Sequence, residues 1–276
     1  MNHVDSIVQA IKQMDGYLHD QLQEKKKQWE HIFIQFQNTK RKSGGTFSIH
    51  DHIRAMVYSF LSSGVSWERM ESGIDLTTGR ILSIDEVFHQ YDPEYLLQCR
   101  PEELRDQVKH LGCASQYTLK QMTALVGTNI GKLQQLDEQY GGIDVYYHQF
   151  VEKDPSFKTL VKSLSSPKSK DKMAQMGVAL VCEYLRNVGY DIPKPDRHVR
   201  RILGSERLGC SEHKIVPEFD VFDIIAELAE ELGKPVAEVD YILWSYCAKG
   251  YGEICTAKPK CEQCVVRGIC FTGQKN

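Results

Sequence analysis

Residues 166–203 read SPKSKDKMAQMGVALVCEYLRNVGYDIPKPDRHVRRIL, and they carry the clearest structural signals in the chain. Ser166 and Pro167 are typical of the N-cap and first position of a helix, so they predict a short helix that Gly177 ends. The apolar spacing after this glycine predicts a second helix from about 178 to 188. The two helices and the tight turn between them would form a hairpin.

After a loop of glycine and prolines at 189–195, a further helix is predicted to begin at Asp196. A carboxylate at this position accepts free backbone N–H groups, so a plain N-cap is the simplest interpretation of Asp196. An ordinary pair of packed helices is likewise the simplest interpretation of the hairpin taken alone. A glycine at the hairpin turn, however, also lets backbone N–H groups approach a phosphate closely.

Outside this stretch the chain is predicted to be nearly all α-helical, because apolar residues recur at helical spacing and alternating strand patterns are scarce. The best-defined buried faces lie on Ile49, Ile53, Met56, Val57, Phe60 and Leu61, on Val221, Phe222, Ile225, Leu228, Ala229 and Leu232, and on Val236, Val239, Ile242, Leu243 and Tyr246. Other helices are predicted near 101–111, 115–126, 143–151 and 156–165.

The composition is that of a soluble globular protein. The 276 residues include 34 Lys+Arg and 37 Asp+Glu, for a net charge of -3, and 41% are hydrophobic. This length allows one large or two small domains. No window approaches the roughly 18 apolar residues of a membrane span, and the first thirty residues lack the apolar core of a secretory signal. We therefore expect a cytoplasmic protein, associated with the nucleoid if bacterial.

The net charge hides an uneven distribution. Residues 194–214 carry six basic and three acidic side chains, and residues 249–276 carry five basic and two acidic ones. Residues 217–240 carry eight acidic side chains and one lysine. The two basic stretches could follow a phosphate backbone, although a merely solvated surface is the simpler explanation of such runs.

The strongest motif lies near the end of the chain. Four of the nine cysteines follow the spacing C-x5-C-x2-C-x5-C, at Cys255, Cys261, Cys264 and Cys270. Thiolates are soft ligands, and this spacing can wrap a single iron or zinc centre. A disulfide framework is disfavoured because nine is odd and the other five cysteines are scattered.

Together these features resemble the helix-hairpin-helix (HhH-GPD) DNA glycosylase superfamily, in particular its endonuclease III-like branch with a C-terminal iron–sulfur cluster. The resemblance runs from Phe47 to Cys270. LRNVGYDIPKPDRHVRRIL (185–203) is similar to the segment that carries the family's catalytic aspartate, and EICTAKPKCEQCVVRGIC (253–270) to its cluster loop. IHDHIRAMVYSFLSSGVSW (49–67) is similar to its helix and substrate-facing loop, and DPEYLLQCRPEELRDQVKHLG (92–112) to its pre-hairpin helices.

The resemblance implies a fold, a cofactor and a catalytic residue. The fold would be all-α, with a helical barrel domain at 48–189 that contains the hairpin and a second helical domain formed by 1–47 and 190–276. DNA would lie in the cleft between them, with Asp196 as the catalytic residue. The four cysteines would hold a 4Fe-4S cluster, with zinc as the alternative, although the first spacing is one residue shorter than usual.

Two departures from the family bear on mechanism. Bifunctional members carry a Schiff-base lysine two residues after the hairpin's last glycine, where this chain has Ala179. We therefore predict a monofunctional N-glycosylase, with AP lyase action through a displaced lysine (Lys168, Lys170 or Lys172) as an alternative. The hairpin's first glycine position holds Gln175, and Gly64 replaces the glutamine that often enters the DNA stack.

The predicted function is base excision repair of double-stranded DNA by a monomeric enzyme that hydrolyses the N-glycosidic bond of a damaged, mispaired or modified base. A catalytically silent, metal-stabilised DNA-binding module is the alternative from another class. Trp67 and Tyr117 could stack on a flipped base, although core packing is the simpler interpretation of both. The predicted DNA contacts are Lys172, Gln175, Gly177, His198, Lys258, Lys260 and Arg267.

Overall fold

The structure is a computed structural model that describes residues 3–64, 70 and 73–275. It divides into two compact units, one formed by Met1–His31 and Asp191–Asn276 and the other by Ile32–Tyr190. Among the described residues the regular structure is helical, apart from one isolated antiparallel bridge between Ile74 and Ile81. The predicted all-α fold class is therefore confirmed. None of the described helices combines the length and the apolar composition needed to cross a membrane.

In chain order the α-helices are α1 (His3–Gln21), α2 (Phe33–Lys42), α3 (Ile49–Leu61), α4 (Leu82–Val87), α5 (Pro93–Leu96), α6 (Pro101–His110), α7 (Thr118–Ala124), α8 (Ile130–Tyr140), α9 (Ile143–Val151), α10 (Lys158–Ser165), α11 (Val178–Asn187), α12 (Arg197–Ile202), α13 (Asp220–Leu232), α14 (Val236–Cys247) and α15 (Phe271–Lys275). Short 3-10 turns lie at Lys25–Lys27, Trp29–His31, His89–Tyr91 and Cys261–Gln263, and a π-helical turn at Leu125–Asn129.

The first unit is built around helix α14, which packs against α1, α12 and α13. The apolar faces predicted for α13 and α14 are buried there; Ile225 and Leu243, for example, are fully enclosed. Helix α13 ends at Gly233, whose φ of +63° is the left-handed conformation that glycine adopts without strain. Tyr17 of α1 meets Tyr246 of α14 edge to face, with ring centroids 5.7 Å apart.

The second unit is centred on the contact between α3 and α11. Helix α3 begins with a capping box, in which the Asp51 N–H donates to Ser48 Oγ at 3.3 Å and the Ser48 N–H to Asp51 Oδ2 at 3.0 Å. The predicted face of α3 is buried from Ile53 to Leu61, and α11 is buried on all sides from Val181 to Asn187. A helix that is enclosed all round is typical of the centre of a core.

Residues 32–47 belong to the second unit, whereas the sequence assigned them to the other domain. The reason is helix α2, which packs against α11. Arg41 Nε donates to the carbonyl oxygen of Val188 at 2.8 Å. A Cβ at Gly189 would lie 2.5 Å from the carbonyl oxygen of Gln37, so only glycine allows the chain to pass α2 this closely.

One helix predicted in the second unit is absent, and one helix that forms there was not predicted. The segment 166–177 forms turns instead of the predicted short helix. Its serine hydroxyls accept hydrogen bonds from nearby backbone N–H groups, at Lys168 and Asp171, which compete with helix formation. Helix α8 was missed, because the helical path continues from α7 through the π-helical turn despite Gly127 and Gly131.

Candidate active site

Asp196 is the N-cap of helix α12. Its Oδ1 accepts hydrogen bonds from the backbone N–H groups of His198 at 2.7 Å and Val199 at 3.0 Å. The partly buried carboxylate is thereby fixed by two backbone bonds, while Oδ2 accepts no hydrogen bond from any residue that the structure describes. The two backbone bonds to Oδ1 thus fix the position of the carboxylate.

The loop before Asp196 is tied to helix α14. The backbone N–H of Lys194 donates to Asp240 Oδ1 at 3.0 Å, and the N–H of Ala237 donates to Asp191 Oδ1 at 2.9 Å. Asp240 is 2% exposed, so the first of these bonds lies in the interior of the unit. A buried polar bond of this kind is costly to break, and it anchors the chain that leads into Asp196.

Arg201 connects the helix of Asp196 to the cysteine loop. Its Nη2 donates to His198 Nδ1 at 3.1 Å and to the carbonyl oxygen of Cys255 at 3.0 Å. Burial lowers the pKa of His198, the negative charge of Asp196 opposes this effect, and the charge of Arg201 adds to it. Because Nδ1 accepts a bond from a guanidinium, the neutral imidazole is the form that fits this arrangement. Arg201 was not among the site residues predicted from the sequence, although it follows His198 by one helical turn.

The four cysteines of the predicted metal site lie in the same unit. Cys255 and Cys270 are buried, and Cys261 and Cys264 are partly exposed. The Tyr246 hydroxyl donates to Cys264 Sγ at 3.4 Å and accepts the backbone N–H of Val265 at 3.2 Å. Cys255 also receives a hydrogen bond from the thiol of Cys247, which lowers the pKa of Cys255 against the opposing effect of burial.

Four soft sulfur donors on one short segment fit an iron–sulfur cluster or zinc by their chemistry. Among the residues that the structure describes, however, no three His, Cys, Asp or Glu side chains come close enough together to hold a metal ion. The chemistry of the four donors therefore fits the predicted cofactor.

The hairpin segment 166–177 lies in the second unit and is held by the π-helical turn and helix α8. The amide of Asn129 forms two bonds with the backbone of Ala174, donating to its carbonyl at 3.1 Å and accepting from its N–H at 2.8 Å. Lys132 Nζ donates to the carbonyl oxygen of Lys172 at 2.6 Å and to that of Lys170 at 3.2 Å. No sequence signal identified Asn129 or Lys132, because both partners are about forty residues away.

Gln175 and Gly177, the two hairpin positions noted in the sequence, differ in backbone conformation. Gln175 is exposed and has a φ of +60°, the left-handed conformation that favours glycine. Gly177 has a φ of −87° and a ψ of 179°, which any residue adopts, and a Cβ added there would meet nothing within 4 Å. Gly177 is the N-cap of α11, and no side chain caps this helix end. Its first backbone N–H groups are the ready-made anion site of a helix N-terminus.

Lys172 is the half-buried lysine of the hairpin segment, whereas Lys168 and Lys170 are exposed. Its ammonium group donates a hydrogen bond to the carbonyl oxygen of Met176. Burial lowers the pKa of Lys172, and the positive charge of Lys132 lowers it further.

The predicted DNA contacts on the cysteine loop are exposed. Lys258, Lys260 and Arg267 all lie at the surface of the first unit. Lys260 Nζ is 3.6 Å from Glu253 Oε2, and Arg267 Nε is 3.4 Å from the carbonyl oxygen of Gly273. These weak, solvated contacts leave the three cations available to a phosphate backbone.

Of the two aromatic candidates, Trp67 lies outside the described residues. Tyr117 is 48% exposed, so its interpretation as a core aromatic was wrong. It stands beside Gly64, where an added Cβ would be 3.7 Å from Tyr117 Cδ2. The exposed ring of Tyr117 therefore lies beside Gly64, which has no side chain.

The sequence matches no profile of a known protein family. It is 30% identical over 97 residues to the 8-oxoguanine DNA glycosylase/AP lyase of Aquifex aeolicus (strain VF5). The match covers 34% of this chain and 43% of that protein, so this chain spans less than half the length of the curated relative.

Among solved structures, the chain is similar to the Methanocaldococcus jannaschii 8-oxoguanine glycosylase/lyase, crystallised with a 15mer DNA containing 8-oxoguanine. The likeness has a TM-score of 0.48 and 19% sequence identity, and it covers 77% of this chain and 86% of that one.

Proposed function

We propose that the protein is a DNA glycosylase that hydrolyses the N-glycosidic bond of a damaged, mispaired or modified base in double-stranded DNA. The observation that carries this proposal is the Asp196 carboxylate, which two backbone N–H groups hold in place through Oδ1. It lies in the segment of the chain that most resembles the helix-hairpin-helix glycosylases. The partial match to a protein named 8-oxoguanine DNA glycosylase/AP lyase supports the same assignment.

The chemistry follows from the position of this charge. Departure of a base from deoxyribose builds positive charge on the sugar, and a preorganised carboxylate stabilises that charge in the transition state. Asp196 Oδ2 would face the sugar or orient and deprotonate the attacking water. The base must first be flipped out of the duplex, at a cost of a few kcal/mol that is least for a damaged or mispaired base.

DNA would be held through its phosphates. The open N-terminus of α11 at Gly177 can bind one phosphate through backbone N–H groups. Lys258, Lys260 and Arg267 add exposed positive charge on the other unit. Binding should then weaken with salt, with a slope of about 0.9 per phosphate contact. Replacing Lys258 and Lys260 with alanine should flatten that slope, and an unchanged slope would remove the cysteine loop from the interface.

We further propose that Cys255, Cys261, Cys264 and Cys270 hold a 4Fe-4S cluster, as in the endonuclease III-like branch. Such a cluster would fix the loop that carries Lys258, Lys260 and Arg267 and would take no part in base release. Protein purified anaerobically should be brown, with a broad absorbance near 400 nm and about four irons per chain. A colourless protein with one zinc would replace the cluster by a zinc site.

The relative's name makes 8-oxoguanine the first base to test. Whether base release is followed by strand cleavage depends on a lysine nucleophile, and Ala179 alone favours a monofunctional enzyme. The relative is named a lyase as well as a glycosylase, so it does not support that finer expectation.

The decisive experiment is a panel of duplexes, each with one lesion or mismatch, scored separately for base release and for strand cleavage. Asp196→Asn serves as the matched control. Release of at least one base that requires Asp196 would establish the function. DNA binding with no base release from any duplex would favour the non-catalytic DNA-binding module instead.

A further inference from the structure

We propose that a cleft in the first unit binds a small organic amine, which is a cation at neutral pH with an apolar body. The inference goes beyond the proposed function, because it involves neither DNA nor base release. The cleft has a volume of about 400 Å³ and is lined by α1, by the 3-10 turns that follow it and by α14. This volume is in the usual range for a small-molecule site. The lining residues all belong to one compact unit.

The lining of the cleft is acidic. It includes four carboxylates and two ammonium groups, those of Asp15, Asp20, Glu30, Glu238, Lys27 and Lys234. Asp20 and Glu30 are exposed to solvent. A cleft in which one sign of charge prevails concentrates small ions of the opposite sign. The lining therefore favours a cation over a neutral or anionic ligand.

The two lysines of the cleft are paired within the unit. Lys234 Nζ lies 3.3 Å from Asp15 Oδ2 and also donates to the carboxylate of Glu238. Burial lowers the pKa of Lys234, but the two carboxylates outweigh this effect and raise it. Lys27 Nζ donates to Glu24 Oε1 at 3.0 Å. Since each ammonium group has its own carboxylate, the lysines do not cancel the negative charge of the rest of the lining.

Aromatic and apolar side chains complete the lining, namely Leu18, Leu22, Trp29, Tyr241 and Ile242. The rings of Trp29 and Tyr241 lie with their centroids 5.7 Å apart. The Tyr241 hydroxyl donates to the carbonyl oxygen of Lys27 at 2.8 Å, which fixes the position of its ring. Indole and phenol rings attract organic ammonium groups, and the aliphatic side chains suit a hydrocarbon body. This combination favours an organic amine over a hydrated metal ion.

Ser245 of α14 gives independent support for a ligand. It lines the cleft and is 1% exposed, and its Oγ has no hydrogen-bond partner among the residues that the structure describes. A buried hydroxyl without a partner is costly, so such groups call for an explanation. An ammonium group can only donate hydrogen bonds, and a serine oxygen can accept them. An amine in the cleft would therefore supply the partner that the protein does not.

Calorimetric titration of the full chain, without DNA, tests the inference. The probes are 1,4-diaminobutane and 2-phenylethylamine, which have an aliphatic and an aromatic body. Their neutral controls are 1,4-butanediol and 2-phenylethanol. Ser245→Ala removes the hydroxyl and leaves every charge of the lining in place. Asp20→Asn removes one exposed carboxylate, and Glu231→Gln is its matched control, because Glu231 is exposed on α13 and does not line the cleft.

We expect at least one amine to bind one-to-one with a Kd below about 1 mM, and the matched alcohol to bind at least about tenfold more weakly. Ser245→Ala should weaken amine binding about tenfold, because it removes a hydrogen bond to a charged group. The Tm of free Ser245→Ala should not fall, since its hydroxyl has no partner in the protein. Asp20→Asn should weaken binding about two- to fivefold, and Glu231→Gln should match wild type.

Any of three results would overturn the inference. The first is that neither amine binds, including the case in which Mg²⁺ binds instead. The second is that the amines and their alcohols bind equally. The third is that Ser245→Ala and Asp20→Asn both bind as wild type does, which would place the amine elsewhere on the surface. Weaker binding by either variant, with Glu231→Gln unchanged, supports the cleft. Because the titration contains no DNA, its failure leaves the glycosylase proposal to the lesion panel.

Discussion

The left-handed conformation of Gln175 offers a direct test of the hairpin geometry. Gln175 has a φ of +60°, in the left-handed region that favours glycine, and its side chain is exposed. Replacing it with glycine removes the clash between Cβ and the neighbouring carbonyl oxygen that makes this conformation costly. Since the side chain is exposed, the substitution also removes little packing. The change therefore isolates the backbone strain.

The size of the effect follows from two opposing contributions. A non-glycine residue in the left-handed region costs about 1–2 kcal/mol. The greater freedom of glycine in the unfolded chain offsets about 0.4–1 kcal/mol of the gain. We expect Gln175→Gly to raise the free energy of unfolding by about 0.5–1 kcal/mol, which corresponds to a Tm increase of roughly 1–4 °C for a unit of this size.

Gly177→Ala is the matched control, because both positions lie on the same turn. The φ of −87° at Gly177 suits alanine, and an added Cβ would meet nothing within 4 Å, but alanine is a poorer N-cap than glycine. The two effects oppose each other, so the free energy of unfolding of this variant should change by less than about 1 kcal/mol. The two variants should differ in DNA affinity. Gln175→Gly should bind as well as wild type or better, whereas Gly177→Ala puts a methyl group where a phosphate would approach. A Tm for Gln175→Gly at or below that of wild type would refute the strain argument.

Three further outcomes are expected. Asp196→Asn keeps the N-cap but removes the charge, so single-turnover base release should fall by a factor on the order of 100–1,000 with duplex affinity retained. Arg201→Ala removes the bonds to His198 and Cys255, so it should slow base release more than it weakens binding; an unchanged rate would exclude a positioning role. Burial raises the pKa of Asp144, but the nearby His52 ring and the charge and hydrogen bond of Arg41 outweigh it and hold the pKa low. Asp144→Asn should therefore lower stability by about 1.5–3 kcal/mol at neutral pH, and the difference should shrink as pH falls below about 4, where wild type loses the same contribution. A pH-independent difference in chemical denaturation would contradict this.

The sequence predicted the elements that local chemistry determines. Helix α13 is an example, because the spacing of its apolar residues gives its buried face and Gly233 ends it. The N-cap at Asp196 is another, since a carboxylate before a helix needs only the backbone that follows it. Both features depend on residues a few positions apart. Hydrophobic periodicity reports on contacts between residues that lie this close together in the sequence.

The sequence could not predict features that depend on distant partners. The exposure of Tyr117 depends on which side of α7 faces the core, and a single aromatic does not show this. The cysteine spacing points to a metal, but it cannot show that Arg201 joins the Cys255 carbonyl to the helix of Asp196. The bond from Lys172 to Met176 is local, yet it forms only because the segment is not the helix that Ser166 and Pro167 predict.

The failure of that helix prediction and the strain at Gln175 have one cause. Asn129 is completely buried, and it bonds both the N–H and the carbonyl of Ala174, the residue just before Gln175. A backbone residue whose two polar groups are held by a side chain cannot also make helical bonds with its own neighbours. The clamp thus replaces the helix. The chain must then turn within one residue to reach the N-terminus of α11, and a left-handed conformation makes that turn. Strained residues persist where the surrounding structure over-determines them. Asn129 therefore both prevents the predicted helix and keeps glutamine in a conformation suited to glycine.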